Sequence, residues 1–216
     1  MWAIVPYKEP PFGKSRLSNR LTPSQRTVLA ATMLDIVVEA LLRAKHVQGI
    51  LLVSDSTNLA EFTLKENIII LETQTTNLRD AVTQASRFAS KQLRCPTTFI
   101  VPADLPLISP EDIDFAVTQH EQVTIIPDAR LKGTNGIIAT PPNAFEFVFN
   151  GQSYQHHQHN AQVAGLHPKS LQIETFSYDV DTFDDLMLVI QMSPDSRTAA
   201  VYRNLTTHDS SLPACN

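Results

Sequence analysis

The chain has 216 residues, 43% of them hydrophobic, enough for one sizeable domain to bury a core without help from disulfides. Lys and Arg number 17 against 22 Asp and Glu, and the net charge of −5 gives no general attraction for nucleic acid or another polyanion. The start MWAIVPYKEPP lacks a basic leader with a long apolar stretch, no run approaches the ~18 apolar residues of a membrane span, and two cysteines, Cys95 and Cys215, make no framework; a cytoplasmic protein with reduced thiols is expected.

Residues 2–5 are an apolar run that meets Pro6, the pattern of a buried strand emptying into a loop. That loop, residues 6–19, carries Lys8, Lys14 and Arg16 together with Gly13 and three prolines. Thr22-Pro23 is a cap followed by proline, and it opens a helix in which Leu29, Met33, Ile36, Val37, Ala40 and Leu41 recur at three and four, ending near Lys45. Strands at 50–53 and 68–71 flank a helix over 59–66. A helix over 78–93, a strand over 98–101, a helix opened by Ser109-Pro110-Glu111 and a strand over 123–126 continue the alternation. Strands alternating with helices, several of the strands apolar throughout, indicate an α/β domain with a mostly parallel sheet covered on both faces.

After Gly133 the pattern changes to a short strand over 136–139, an irregular aromatic stretch over 141–151 and a helical segment over 153–164, which together suit the acceptor side of a site. A strand over 171–176 leads to Tyr178-Asp179-Val180-Asp181, after which Thr182 caps a helix through Ile190. Beyond Ser193 the chain is polar and aperiodic, so the expected division is a catalytic domain over 1–192 and a loosely held tail over 193–216.

In open parallel sheets, ligands gather outside the carboxyl ends of the strands, and that rule selects three places here. The loop after the first strand supplies Lys8, Lys14, Ser15 and Arg16, cations and a hydroxyl that suit a triphosphate, although it lacks the first glycine of a Walker A loop and would also serve as a solvated loop. Asp104, boxed by Pro102 and Pro106, follows the fourth strand and can be a turn cap or a fixed carboxylate ligand. Asp179 and Asp181, spaced by two, project to one side of an extended segment as hard oxygen ligands for magnesium, or else serve the N-terminus of the helix that follows. Gly133 and Gly136 frame Thr134 and Asn135, which suit either a turn or a grip on a carboxylate or phosphate. Of His156, His157 and His159, which scatter over a helix surface rather than forming a zinc set, His157 is the one expected to face the pocket.

The order of these signals is more specific than any one of them: VPYK with GKSRL, DLPLIS, GTNG, F-x-F-x-G-x-S-Y-x-x-H and DVDTFDDL. In this order, over about residues 2–190, the chain resembles the guanylyltransferases of deazaflavin coenzyme F-420 biosynthesis known as CofC or FbiD, within the MobA-like nucleotide-diphospho-sugar transferase fold, a three-layer Rossmann-like α/β architecture. The resemblance implies transfer of GMP from GTP to a phosphorylated three-carbon acid with release of pyrophosphate, and a transient contact with the transferase that uses the product. It places the magnesium ligands on Asp104, Asp179 and Asp181 and the acceptor contacts on Thr134, Asn150 and Ser153, with Gly151 able to take over where Asn150 replaces the family's glycine. Lys14 and Arg16 then steady the β- and γ-phosphates of the leaving group, and no general base is needed because an acceptor phosphate is already ionised. Leu78-Arg79 departs from the family's Leu-Asn near the guanine segment, and Tyr154 stands for a phenylalanine. Asn150 and Tyr154 both add hydrogen-bonding capacity, which favours 3-phospho-D-glycerate over 2-phospho-L-lactate or phosphoenolpyruvate as acceptor. The competing expectations are a sugar-phosphate or molybdenum-cofactor acceptor on the same fold, against which VPYK in place of a glycine-rich LAGG loop speaks, and a catalytically silent nucleotide-binding domain.

Overall fold

The computed structural model of the chain describes residues 1–8, 14–56, 59, 62, 65–75 and 77–207. Gly13 and half of the helix expected over 59–66 lie outside these residues. Among the described residues the strands are β1 Trp2–Pro6, β2 Gly49–Ser54, β3 Ile68–Glu72, β4 Thr98–Ile100, β5 Val123–Pro127, β6 Thr134–Ala139 and β7 Pro168–Ser170. The helices are α1 Pro23–Arg43, α2 Leu78–Lys91, α3 Pro110–Thr118, α4 Ser153–Val163, α5 Phe183–Met192 and α6 Arg197–Thr207. The strands form one sheet in the order β3-β2-β1-β4-β6-β5-β7. β6 runs antiparallel to both its neighbours, and the other pairings are parallel.

β1, β2 and β4 are apolar on both sides because both faces of the sheet are covered. On one face Ala3, Val5, Ile50 and Leu52 pack with Leu34, Val37 and Leu41 of α1 and Ile113 of α3. On the other, Ile4, Leu51 and Val53 pack with Val82 and Ala85 of α2 and Ala161 of α4. The alternation of successive strand residues between two faces thus yields a three-layer molecule from one sheet. A third cluster joins Leu29 and Met33 of α1 to Leu186 and Val189 of α5, with Val180 and Tyr202 completing it.

Two expectations are corrected. The last strand is Pro168–Ser170, pairing with β5, and not 171–176. The apolar residues Ile173 and Phe176 are spaced by three because they enter the core through a 3-10 turn at Glu174–Phe176, where Phe176 stacks on Phe99 with ring centroids 5.8 Å apart. The segment expected as a loose tail contains α6, whose Thr198 and Ala199 are fully buried. It has no long apolar stripe, and its ties are tertiary: Arg197 pairs with Glu39 of α1 at 3.1 Å, and Gln25 of α1 donates to the carbonyl of Leu205. Residues 208–216 lie outside the described residues.

Candidate active site

β1, β2, β3 and β4 all deliver their carboxyl ends to one edge of the sheet. Because β6 is antiparallel to β4, it brings its first residues, Thr134 and Asn135, to that same edge. Asp104 follows β4 and meets the 179–181 segment through a backbone hydrogen bond, in which Val180 N–H donates to the Asp104 carbonyl at 3.1 Å. Val180 is itself fully buried, so the segment is pinned with Asp179 and Asp181 on either side of an anchor. Thr182 then starts α5 with a capping box to Asp185.

The result is three carboxylates that can each present an oxygen within 4.8 Å of the others. One Asp104 oxygen, Oδ1, is buried with no hydrogen-bond partner. Burial, then the nearby Asp104 charge, pushes the Asp179 carboxyl up to about 6, against a hydrogen bond from Asn135 that favours its ionised form. A buried orphan oxygen and a carboxylate that resists ionisation are what hard-cation ligands look like without their ion, so the donor set fits a magnesium-type metal.

Lys14 supplies a positive charge to this cluster. It sits in the left-handed backbone region at φ 55°, its Nζ contacts Asp104, and it reaches Asp181 at 3.1 Å. Burial alone would lower its pKa, but the two aspartates hold it above the usual lysine value, so it is charged. Arg16 extends the network to the outer oxygen of Asp181 at 3.5 Å. Ser15, in contrast, opens a short 3-10 turn, is exposed and lines neither of the cavities described next.

Two cavities flank the carboxylates. The first, of about 360 Å³, lies over β1, β2 and β4 and includes Lys8, Lys14, Ser54, Thr73, Asn77 and Ile100. The second, of about 650 Å³, is bounded by Arg16, Lys132, Asn150, Gly151, Ser153, Asp179 and Asp181. Asp104, Thr134, Pro102, Leu78 and Phe149 belong to the walls of both. Of the expected nucleotide residues, Lys8 and Lys14 line the first chamber while Arg16 lies on the wall of the second, which also holds the expected acceptor residues Asn150, Gly151 and Ser153; Asp104 and Thr134 stand at the junction.

Several side chains do something other than expected. The side-chain NH2 of Asn135 is engaged within the protein: it donates to Asp179 Oδ1 at 2.9 Å and to the Phe176 carbonyl at 2.8 Å, orienting the carboxylate from behind. Gly136 is required by packing, since a Cβ there would stand 2.9 Å from Ile126 Cδ1. His157 does not face the pocket, and its ring is fully buried behind Thr134. The Tyr154 hydroxyl turns toward β7, donating to Ser170 Oγ at 2.8 Å, and lines neither cavity. Asn150 does line the second chamber, but its side-chain oxygen Oδ1 accepts from the Gln152 N–H at 2.9 Å. Arg79 is exposed and pairs with Asp80 and Glu146.

The chain is similar to known guanylyltransferases along most of its length. A phosphoenolpyruvate guanylyltransferase from Sphaerobacter thermophilus is 32% identical over 186 residues, 85% of this chain and 89% of that one. A 2-phospho-L-lactate guanylyltransferase from Methanothermobacter thermautotrophicus is 32% identical over 87% of this chain and 83% of its own length. A 3-phospho-D-glycerate guanylyltransferase from Colwellia psychrerythraea is 26% identical over 88% of this chain and 91% of its own. Among solved structures, a protein assigned as a nucleotide-diphospho-sugar transferase from Desulfovibrio desulfuricans G20 superposes with a TM-score of 0.77 at 19% identity over 95% of both chains. A nucleotidyl transferase from Methanothermobacter gives 0.67 at 14% identity, covering 89% of this chain and 97% of that one, and at such identities both show the fold alone. The family model described as "Guanylyl transferase CofC like" matches residues 1–210, and with two relatives above 30% identity the chain belongs to that family of guanylyl-transferring enzymes.

Proposed function

We propose that this enzyme transfers GMP from GTP to a phosphorylated three-carbon acid and releases pyrophosphate, in coenzyme F-420 biosynthesis. The observation that carries the reading is the pair of chambers meeting at Asp104, because two anionic substrates must approach one another at a point where charge is offset. GTP takes the first chamber, with Lys8 and Lys14 toward its phosphates and Arg16 at the exit toward the β- and γ-phosphates. The acceptor takes the second, with Thr134, Ser153 and the Asn150-Gly151 turn toward its anionic groups.

In the reaction, an oxygen of the acceptor phosphate forms a bond to the α-phosphorus of GTP while the bond from that phosphorus to the bridging oxygen of pyrophosphate breaks. Asp104, Asp179 and Asp181 would hold magnesium, which supplies Lewis-acid stabilisation of phosphoryl charge when bound. Asn135 keeps Asp179 aimed at that position. Lys14, already charged and bridging two of the carboxylates, is within reach to follow the negative charge onto the leaving group. No side chain need remove a proton, since the attacking phosphate oxygen is ionised near neutral pH.

The three relatives carry three different acceptor names, and the local geometry removes one argument for choosing between them: Tyr154 is engaged outside the chamber, leaving Asn150 as the sole remaining support for 3-phospho-D-glycerate. The product is an activated mixed diphosphate, so a separate transferase that consumes it is the expected partner. The buried free thiol of Cys95 goes with a cytoplasmic location, and among the described residues no helix is long and apolar enough to cross a membrane. A competition assay offers phosphoenolpyruvate, 2-phospho-L-lactate and 3-phospho-D-glycerate at equal concentration with GTP and magnesium, and mass spectrometry reads the product. A guanylylated phospho-acid is expected; no guanylylated product from any of the three acids, with product formed when sugar phosphates are offered in their place, would overturn the reading.

A further inference from the structure

His157 is fully buried, and each ring nitrogen has one partner. Nε2 accepts the backbone N–H of Val148 at 2.9 Å. A nitrogen that accepts carries a lone pair, and burial holds the ring's pKa down at about 4, so the neutral ring must carry its single proton on Nδ1. Nδ1 lies 3.0 Å from Thr134 Oγ1, and that N–H therefore donates to the threonine. Ser153 Oγ lies 3.2 Å from the same Thr134 oxygen. Both hydroxyls are nearly buried, yet both belong to the wall of the second chamber.

Counting protons fixes the polarity of this pair. Thr134 and Ser153 own two hydroxyl protons between them. Their mutual hydrogen bond uses one, and the imidazole, already donating, takes neither. One O–H is left over, and the chamber is where it can go. With the other tautomer, Thr134 would donate to Nδ1 and Ser153 to Thr134, and the chamber would meet only oxygen lone pairs. Phe145, Phe147 and Phe149 enclose the ring edge to face, with centroids 5.9, 6.3 and 5.2 Å away, so packing holds the ring in its orientation.

We infer that His157 is a positioning residue that, through its Nδ1–H, turns the Thr134–Ser153 pair into a hydrogen-bond donor for an anionic group of the acceptor. This rests on the acceptor occupying the second chamber. It never touches the substrate and transfers no proton.

The test compares two amides that each keep half of the imidazole. His157→Asn can place an N–H where Nδ1 stands and gives up the bond to Val148; His157→Gln can keep the acceptor for Val148 and gives up the donor to Thr134. With whichever of the three phospho-acids turns over, His157→Gln is expected to raise the acceptor KM about tenfold or more while the GTP KM stays near wild type. His157→Asn is expected to retain an acceptor KM close to wild type. Equal effects of the two variants, the reverse order, or parallel shifts in both KM values would overturn the inference. Thr134→Val and Ser153→Ala separate it from the reading it rests on: unchanged acceptor KM in both removes the acceptor chamber itself, whereas raised KM there with a normal His157→Gln removes only the role of His157. Nitrogen-15 NMR of the imidazole in the unsubstituted protein decides the matter without any variant, with the Nδ1–H tautomer expected and the Nε2–H tautomer contradicting it.

Discussion

Asp104, Asp179 and Asp181 are separated by up to 77 positions in sequence but present oxygens within 4.8 Å, and Asn fills the same volume as Asp in each half-buried position. Replacing any of them with Asn is expected to lower kcat by about 100-fold or more while the melting temperature holds, checked by rates and thermal melts on the same preparations. Asn135→Ala leaves the ligands in place but frees Asp179 to rotate, so a loss of about 10–100-fold in metal affinity is expected by titration calorimetry. Lys14→Ala is expected to raise the KM for GTP well beyond that for the acceptor, and equal effects on both would return its loop to a structural role. The aspartates were readable from the sequence because the carboxyl-end rule singles out polar residues that directly follow apolar strands. Asn135 was readable only as a turn or ligand-contact residue, since its partners, Asp179 and the Phe176 carbonyl, lie more than 40 positions away and no local pattern announces them.

At the scale of elements, α4 owes its placement to a buried histidine rather than to an apolar stripe. Val148, Thr134 and the ring of His157 tie the helix to the aromatic segment before it and to β6. Protonation of that ring costs stability. Its folded pKa of about 4 lies below the unfolded value of 6.5, so the unfolded chain binds the proton first as pH falls. The stabilising contribution is complete above pH 6.5 and is lost progressively down to about pH 4, amounting to about 3 kcal/mol. Chemical denaturation across that window should show the decline, and His157→Phe should be less stable at neutral pH but lose less on acidification. The periodic segments, α1 to α3 and the apolar strands, follow from sequence pattern. β7 and α6 do not, because the first is held by pairing with β5 across 45 positions and the second lies in a largely polar stretch tied to α1 by tertiary contacts.

For the whole molecule, the antiparallel β6 is the feature that turns a nucleotide-binding sheet into a two-substrate site. By running backwards between β4 and β5 it sets Thr134 beside Asp104, at the wall shared by the two chambers. The strand pattern alone shows that β6 exists and leaves its direction open, since a run of six residues carries no sign of orientation. The central claim is that the two chambers hold GTP and a phospho-acid so that GMP passes between them. Phosphorus-31 NMR of GTP incubated with the enzyme, magnesium and the three phospho-acids tests it most directly. The account predicts that the GTP α-phosphorus and the acceptor phosphorus become a coupled pair in a new mixed diphosphate, with one pyrophosphate released per product. Unchanged GTP, or conversion to GDP and inorganic phosphate without that coupled pair, would contradict it.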